Sequence, residues 1–244
     1  MRGWGGGRID VTCPRRVRVE RSIRAHLGTL APDEVTVREG IPTTGPARTQ
    51  FDLASVLGID ALFSVINRAE VNRVVDRLAL PELLDRYPRR NGNATLRAVL
   101  EILPADGVRT LSPLEDRFYL FLRRHGLPVE GVNVNVETEA RPYCCDFVWE
   151  RARLIIETDG ERFHSGPIAR SRDAERDRDL RRAGWELVRL TDEHIADAEA
   201  ESRRGAIPGL AEWILRRLGL SGPARASTLP IPSRRSSVGR ALHS

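Results

Sequence analysis

Three carboxylates stand at or near the end of apolar segments in the second half of the chain. Residues 154–160 read Leu-Ile-Ile-Glu157-Thr-Asp159-Gly, so two acids follow three apolar residues that are typical of a buried strand. Because side chains alternate across a strand, Glu157 and Asp159 share one side if the strand continues to Asp159. Asp146 interrupts the apolar segment 143–149 just upstream. The short connection at 150–153 favours a hairpin, which would place Asp146 opposite the acidic end of the next strand.

Asp146, Glu157 and Asp159, called the acidic cluster below, predict metal chemistry. Converging carboxylates are costly unless a cation neutralises them. Oxygen ligands suit Mg²⁺ or Mn²⁺ better than zinc, and such an ion polarises a phosphate and lowers the pKa of an attacking water. The spacing alone equally permits a simpler arrangement, in which Asp159-Gly160 is a turn and Asp146 is a paired surface acid.

The elements around the acidic cluster predict a compact α/β unit over residues 106–220. Ser112-Pro-Leu-Glu115 is typical of a helix start, with Ser112 as the cap and Glu115 closing a capping box, and this helix is expected to end near Arg124. The remaining predictions are strands at 132–136, 143–149, 153–158 and 185–190, and helices at 168–183, 192–201 and 207–218.

Residues 1–105 predict a separate, small α+β region. Alternating apolar residues in 8–24 favour two short strands separated by Pro14, and the segment 39–46 is rich in turn residues. Helical periodicity follows at 47–57, 60–72, 80–86 and 94–103. The boundary is placed in 104–109, and residues 221–244, rich in Ser, Pro and Arg, are expected to be disordered.

The composition limits the chemistry that is open to this protein. All 39 basic residues are arginine, so no lysine can act as a general base or pair with a phosphate, and arginine would have to bind any phosphate. A net charge of +5 permits an anionic partner without requiring one. Three cysteines without a CxxC spacing exclude a disulfide framework and a zinc ribbon. With no signal peptide and no apolar run that could span a membrane, a cytoplasmic protein is expected.

The ordered combination of motifs across residues 111–190 resembles a known family. The chain reads Asp146-Phe-Val-Trp, Glu157-Thr-Asp159-Gly, Phe-His164, Asp173-x-x-Arg176 and then Gly-Trp-x-Leu-Val-Arg at 184–189. This run resembles the very-short-patch-repair (Vsr)-like endonuclease domains of unknown function, which belong to the restriction-endonuclease-like PD-(D/E)XK superfamily. The resemblance implies a mixed sheet flanked by helices, and Mg²⁺- or Mn²⁺-dependent cleavage of phosphodiester bonds in DNA.

The resemblance also implies roles for single residues. Asp146 and Glu157 match metal-binding acids, and Asp159 stands at the position where the superfamily has its lysine. His164 matches a histidine that acts as a base or contacts a phosphate. Glu115 matches an acid that extends the metal site. Arg176 of the following helix matches a position that contacts the DNA backbone. Independently of the resemblance, Arg170, Arg172 and Arg176 are the arginines of this helix that are candidates for phosphate contacts.

Each of these side chains also has a simpler explanation. Glu115 is part of the Ser112 capping box, which need not exclude a role at the metal. A lone loop histidine such as His164 is usually just solvated. The helix at 168–183 alternates arginines with acids, so pairing along the helix accounts for most of its charges.

The first half resembles the middle region of proteins related to type IV abortive-infection antitoxins. The matching segments are Ile9-Asp-Val-Thr, Ile23-Arg-Ala-His, Gly40-Ile-Pro-Thr and Pro46-Ala-Arg-Thr followed by Asp52-Leu-Ala. Those proteins usually begin with a winged-helix DNA-binding domain, which is expected to be missing here. The alternative function is a DNA-binding regulator of antitoxin type that uses the nuclease fold as a scaffold, without enzymatic activity, and the missing winged helix counts against it. A decayed fragment without activity is a third possibility.

Overall fold

The second half of the chain is built on one four-stranded sheet. The computed structural model describes residues 8–74, 78–103, 109–160 and 167–220, with the backbone alone described at 167–170. Helix α5 (Pro113–Arg124) precedes the strands, and Ser112 caps it by accepting the N–H of Glu115 at 3.1 Å. The sheet consists of β5 (Gly131–Val136), β6 (Tyr143–Trp149), β7 (Leu154–Asp159) and β8 (Glu186–Thr191). The helices are α6 (Pro167–Arg182) between β7 and β8, then α7 (Asp192–Arg203) and α8 (Gly209–Arg217).

The strand order is β5-β6-β7-β8, with β7 and β8 parallel and the other two pairs antiparallel. A parallel pair needs a crossover, and α6 supplies it. Along β7, Leu154 and Ile156 join the main core, whereas Ile155 joins a smaller cluster with Leu180 of α6 and Trp185. Both faces of the sheet are therefore covered by helices. The predicted α/β class, a mixed sheet flanked by helices, is confirmed.

In residues 8–74 and 78–103, the structure has two small two-stranded sheets and four α-helices. Strand β1 (Ile9–Cys13) pairs in parallel with β2 (Ile23–Leu27), and β3 (Val35–Arg38) pairs with β4 (Ile41–Thr44). The helices are α1 (Pro46–Leu53), α2 (Ile59–Val71), α3 (Ala79–Arg86) and α4 (Asn93–Ile102), all close to the predicted segments.

The strand predictions for the first half were partly wrong. The two strands predicted in 8–24 on either side of Pro14 are present as β1 and β2, but β2 begins only at Ile23 and runs past the predicted segment to Leu27. The residues around Val17 and Val19 belong to no strand and are exposed. The segment 39–46, for which only its many turn residues were noted, contains β4, and no strand was predicted at β3 or β4. Its turn is limited to Glu39 and Gly40, which both adopt positive φ (52° and 77°) and close a tight hairpin.

Buried ion pairs and hydrogen bonds connect the elements of the first half. Glu34 and Arg48 are 2% and 3% exposed, and Nη1 of Arg48 donates to Oε2 of Glu34 at 2.7 Å. Glu34 also accepts from the Ala31 N–H, the Tyr87 hydroxyl and Arg86. We call this group the Glu34 network. It joins α1 and α3 to the segment that leads into β3.

The hydrophobic core is continuous between the two halves. The ring of Phe63 in α2 stacks on that of Tyr119 in α5, with centroids 5.5 Å apart, and both belong to the main core. Buried Asn67 donates to Thr110 and to Asp116 beside them. Within the described residues, no helix combines the length and apolar character needed to cross a membrane.

Candidate functional site

The sheet divides at the acidic residues. β6 and β7 pair only at 147–149 and 154–156, whereas β6 stays paired with β5 back to Tyr143 and β7 stays paired with β8 on to Asp159. The two inner strands therefore separate just where Asp146 would face Glu157. We call this place the fork. The predicted hairpin is confirmed, and it brings Asp146 and Glu157 to the fork from neighbouring strands.

The Asp146 side chain replaces part of the ladder that ends at the fork. Its Oδ2 accepts the N–H of Thr158 at 2.8 Å and the Thr158 hydroxyl at 2.9 Å. A backbone N–H that loses its strand partner needs another acceptor, and this carboxylate provides one. Asp146 remains half-buried, so the fork opens towards solvent on its side.

Glu157 is buried at the fork and bound by an arginine of α6. Nη2 of Arg176 donates to Oε1 of Glu157 at 2.6 Å and Nη1 donates to Oε2 at 3.1 Å, so the guanidinium contacts both carboxylate oxygens. Nη2 also donates to the carbonyl of Cys144 at 2.6 Å. Arg176, predicted as a contact to the DNA backbone, is thus an ion-pair partner of Glu157 in this structure.

The electrostatics of Glu157 show incomplete compensation. Burial raises the pKa of its carboxyl, the hydrogen bonds from Arg176 lower it in part, and the negative charge of Asp146 raises it again; the net pKa is above the ordinary value. Desolvation and a like charge both favour the protonated form. A further positive charge near Glu157 and Asp146 would therefore stabilise both carboxylates.

Asp159 lies at the exposed end of β7, in register with Thr191 of β8. β7 reaches Asp159, one residue beyond the predicted strand, so the condition under which Glu157 and Asp159 share one side is met. Among residues 8–74, 78–103, 109–160 and 167–220, no group of three or more His, Cys, Asp or Glu side chains is arranged to hold a metal ion. In this arrangement the acidic cluster is thus a pair at the fork with a third acid beyond it.

In a capping box, the Glu115 side chain would accept the N–H of the N-cap residue Ser112. In the structure its backbone partner lies one residue earlier. Its Oε2 accepts the N–H of Leu111 at 2.7 Å and the amide of Asn133 at 2.6 Å. Asn133 lies in β5, where the register places it opposite Asp146, and it has a positive φ of 51°. Glu115 is thereby connected to the strand that flanks the fork.

Three of the predicted site residues are not seen at the fork. Arg172 is exposed on α6. His164 and the side chain of Arg170 lie outside the described residues. Their predicted roles stay predictions.

Sequence reasoning missed Thr158 and Asn133, the two residues that shape the fork. Asn133 left a signal, because Asn is depleted in strands and is among the few residues that tolerate positive φ. It lies within residues 132–136, which alternate valine with asparagine. No feature of the sequence pointed to Thr158, because its role depends on where the pairing of β6 with β7 ends.

The residues at the fork fit a hard divalent cation. The donor atoms of Asp146 and Glu157 are carboxylate oxygens, which Mg²⁺ and Mn²⁺ prefer. The guanidinium of Arg176 is a cation that already forms an ion pair with one of these carboxylates, that of Glu157. Asp146 and Glu157 would hold the metal, and Arg176 supplies positive charge to the same carboxylate.

The comparison with protein families agrees with this geometry. Residues 115–205 match the family model REase_MTES_1575, a restriction-endonuclease-like family. The matched segment begins at Glu115, contains the whole four-stranded sheet with α6, and extends past α7. These residues form a restriction-endonuclease-like domain. No curated protein and no solved structure gives a significant match to the chain.

Proposed function

We propose that the domain is a metal-dependent endonuclease that hydrolyses phosphodiester bonds in DNA. The observation that carries the proposal is the pair of carboxylates at the fork, inside a domain that matches a restriction-endonuclease-like family. The finer assignment, a Vsr-like member of the PD-(D/E)XK superfamily in a cytoplasmic, antitoxin-related protein, is part of the proposal. The motifs across residues 111–190, and for the antitoxin relation those of residues 9–54, support it.

In the proposed site, Asp146 and Glu157 hold Mg²⁺ or Mn²⁺, with Asp159 as a further ligand. The bound ion supplies Lewis-acid polarisation of the phosphate and lowers the pKa of the attacking water. Thr158 holds the Asp146 carboxylate in place through two hydrogen bonds. Glu115 and Asn133 support the flanking strand, and His164 serves as a base or a phosphate contact. With no lysine in the chain, none of these roles falls to an amine.

Arginines provide the proposed contacts to the DNA backbone. Arg170 and Arg172 lie near the start of α6, the helix that packs beside the fork, and Arg172 is exposed. A guanidinium binds phosphate oxygens through two parallel N–H bonds, and such backbone contacts fix the orientation of a protein on a duplex.

The proposal is tested by cleavage of plasmid and oligonucleotide DNA with Mg²⁺, Mn²⁺ or EDTA. We expect cleavage only with the metals, and loss of at least about a thousandfold in rate for Asp146→Asn and Glu157→Gln, since a catalytic metal contributes several kcal/mol and each ~1.4 kcal/mol is tenfold. Glu150→Gln, at the exposed turn of the same hairpin, is the matched control and should retain activity. Cleavage by both fork variants at the wild-type rate would contradict the proposal.

The contact between Arg176 and both oxygens of Glu157 favours one alternative. A carboxylate that is already neutralised in this way can be purely structural, and the domain would then serve a DNA-binding regulator as a scaffold. This alternative predicts DNA binding that weakens steeply with salt, needs no metal and produces no cleavage. The same cleavage assay, combined with a binding titration in EDTA, separates the two functions.

A further inference from the structure

Arg176 holds the carboxylate that the proposed metal needs. Its two terminal nitrogens donate to the two oxygens of Glu157, and this contact joins α6 to β7 across the fork. Both side chains are largely buried, with exposed fractions of 21% for Arg176 and 12% for Glu157. The pair is thus a two-bond ion pair between largely buried groups, and both oxygens of the Glu157 carboxylate are occupied by it.

We infer that Arg176 competes with the metal for Glu157, so that a divalent cation binds at the fork only as the guanidinium leaves at least one carboxylate oxygen. This inference rests on the proposed function, because it takes Glu157 as a metal ligand. A metal ligand oxygen lies at ~2.1 Å from Mg²⁺, and it cannot keep a short charge-assisted bond to a second cation in the same direction. Repulsion between the ion and the guanidinium acts in the same sense.

The surroundings of Arg176 allow it to leave the carboxylate and still remain at the fork. Nη2 still has a neutral acceptor, the carbonyl of Cys144 near the start of β6. A guanidinium that has lost its carboxylate has donors available for another anion, and the oxygens of a nucleic-acid phosphate match its planar arrangement. Metal binding thereby makes Arg176 available to the substrate.

The test measures metal affinity and does not depend on cleavage. Isothermal titration of MnCl₂ into wild-type protein is compared with Arg176→Gln, and we expect Mn²⁺ to bind the variant about tenfold more tightly, or about 1.4 kcal/mol. Arg178→Gln removes the same charge from an exposed position on the same helix and is the matched control, with an affinity close to that of the wild type.

Arg176→Lys is a second variant, which keeps the test valid if Arg176→Gln does not fold. Lysine keeps the positive charge beside Glu157 but loses the two parallel bonds, so it should compete less well and give an affinity between those of the wild type and Arg176→Gln. A second measurement is the rise in melting temperature on adding MnCl₂, which should follow the same order because a ligand that binds only the folded state stabilises it.

The outcomes separate this inference from the function on which it rests. Equal or weaker Mn²⁺ binding by Arg176→Gln and Arg176→Lys, with binding still abolished by Glu157→Gln, overturns the competition but leaves the metal site in place. Mn²⁺ binding that Glu157→Gln and Asp146→Asn do not alter overturns the proposed metal site itself. Tighter binding in Arg176→Gln, lost again in the double variant with Glu157→Gln, supports both.

Discussion

The molecule buries a glutamate against an arginine in each of its two halves, and the two sites are compensated to different degrees. In the Glu34 network, the carboxylate accepts from two arginines, a tyrosine hydroxyl and a backbone N–H. Burial alone would raise the pKa of Glu34, but these donors and the charge of Arg48 bring it below the ordinary value. Glu157 has a single arginine and a neighbouring acid, and its net pKa is raised.

This difference distinguishes a structural ion pair from one that is open to a further cation. A carboxylate with several donors and a lowered pKa is already compensated, and needs no further positive charge to remain ionised. A buried carboxylate with a raised pKa remains under-compensated, and such groups occur preferentially at functional sites. Since both glutamates are buried beside arginine, burial and pairing alone would not have identified the site.

Arg48→Met should produce the largest loss of stability. It leaves Glu34 buried without its central partner, and breaking a buried pair in this way costs about 3–5 kcal/mol. Urea denaturation followed by circular dichroism measures the change, with Arg38→Met at an exposed position of β3 as the control. A loss below about 1 kcal/mol would mean that the network is not a structural ion pair.

Arg176→Gln should destabilise the metal-free protein less, by about 1–3 kcal/mol. Glu157 can take up a proton when its partner is removed, because its pKa is already raised, and a bond to a charged group contributes only about 1.5–3 kcal/mol net. The same denaturation experiment gives the value. Destabilisation as large as that of Arg48→Met would remove the contrast between the two sites.

The Glu34 network should also give the protein a specific sensitivity to acid. Because the folded pKa of Glu34 lies below its ordinary value of 4.5, its contribution is complete above pH 4.5 and is lost as the pH falls through the folded pKa. Glu34→Gln should therefore lose stability at pH 6 and show a weaker decline towards pH 3 than the wild type. Parallel pH profiles of unfolding for the two proteins would contradict this.

Asn133→Gly should give the smallest effect, a loss of about 1 kcal/mol. Glycine removes the hydrogen bonds to the Glu115 carboxylate and the Arg109 carbonyl, and a bond to a charged group contributes about 1.5–3 kcal/mol. Glycine also adopts the positive φ without strain, which offsets part of this loss. Thermal unfolding measures the loss. The rate of metal-dependent cleavage is measured as well. If the rise in activation free energy exceeds the loss in free energy of unfolding, Asn133 positions the fork as well as stabilising it.

The sequence predicted local features well and long-range pairing less well. The bounds of β6 and the hairpin to β7 followed from apolar alternation around one short turn, so the placement of Asp146 near Glu157 was predictable. The partner of Arg176 was not, because α6 offers acids at helical spacing that explain the same arginine equally well. The parallel pairing of β1 with β2 depends on contacts across the intervening irregular segment, which no local pattern reveals.

The continuous core between the two halves sets a limit on how the protein can be divided. A fragment that starts at residue 106 would lose Phe63, which stacks on Tyr119, and the Ile102 carbonyl that accepts the Tyr119 hydroxyl. It would also leave Asp116 without its bond from Asn67. The restriction-endonuclease-like half depends on the first half for one side of α5, so the first half acts as part of its folding unit and should be retained whenever the site is studied.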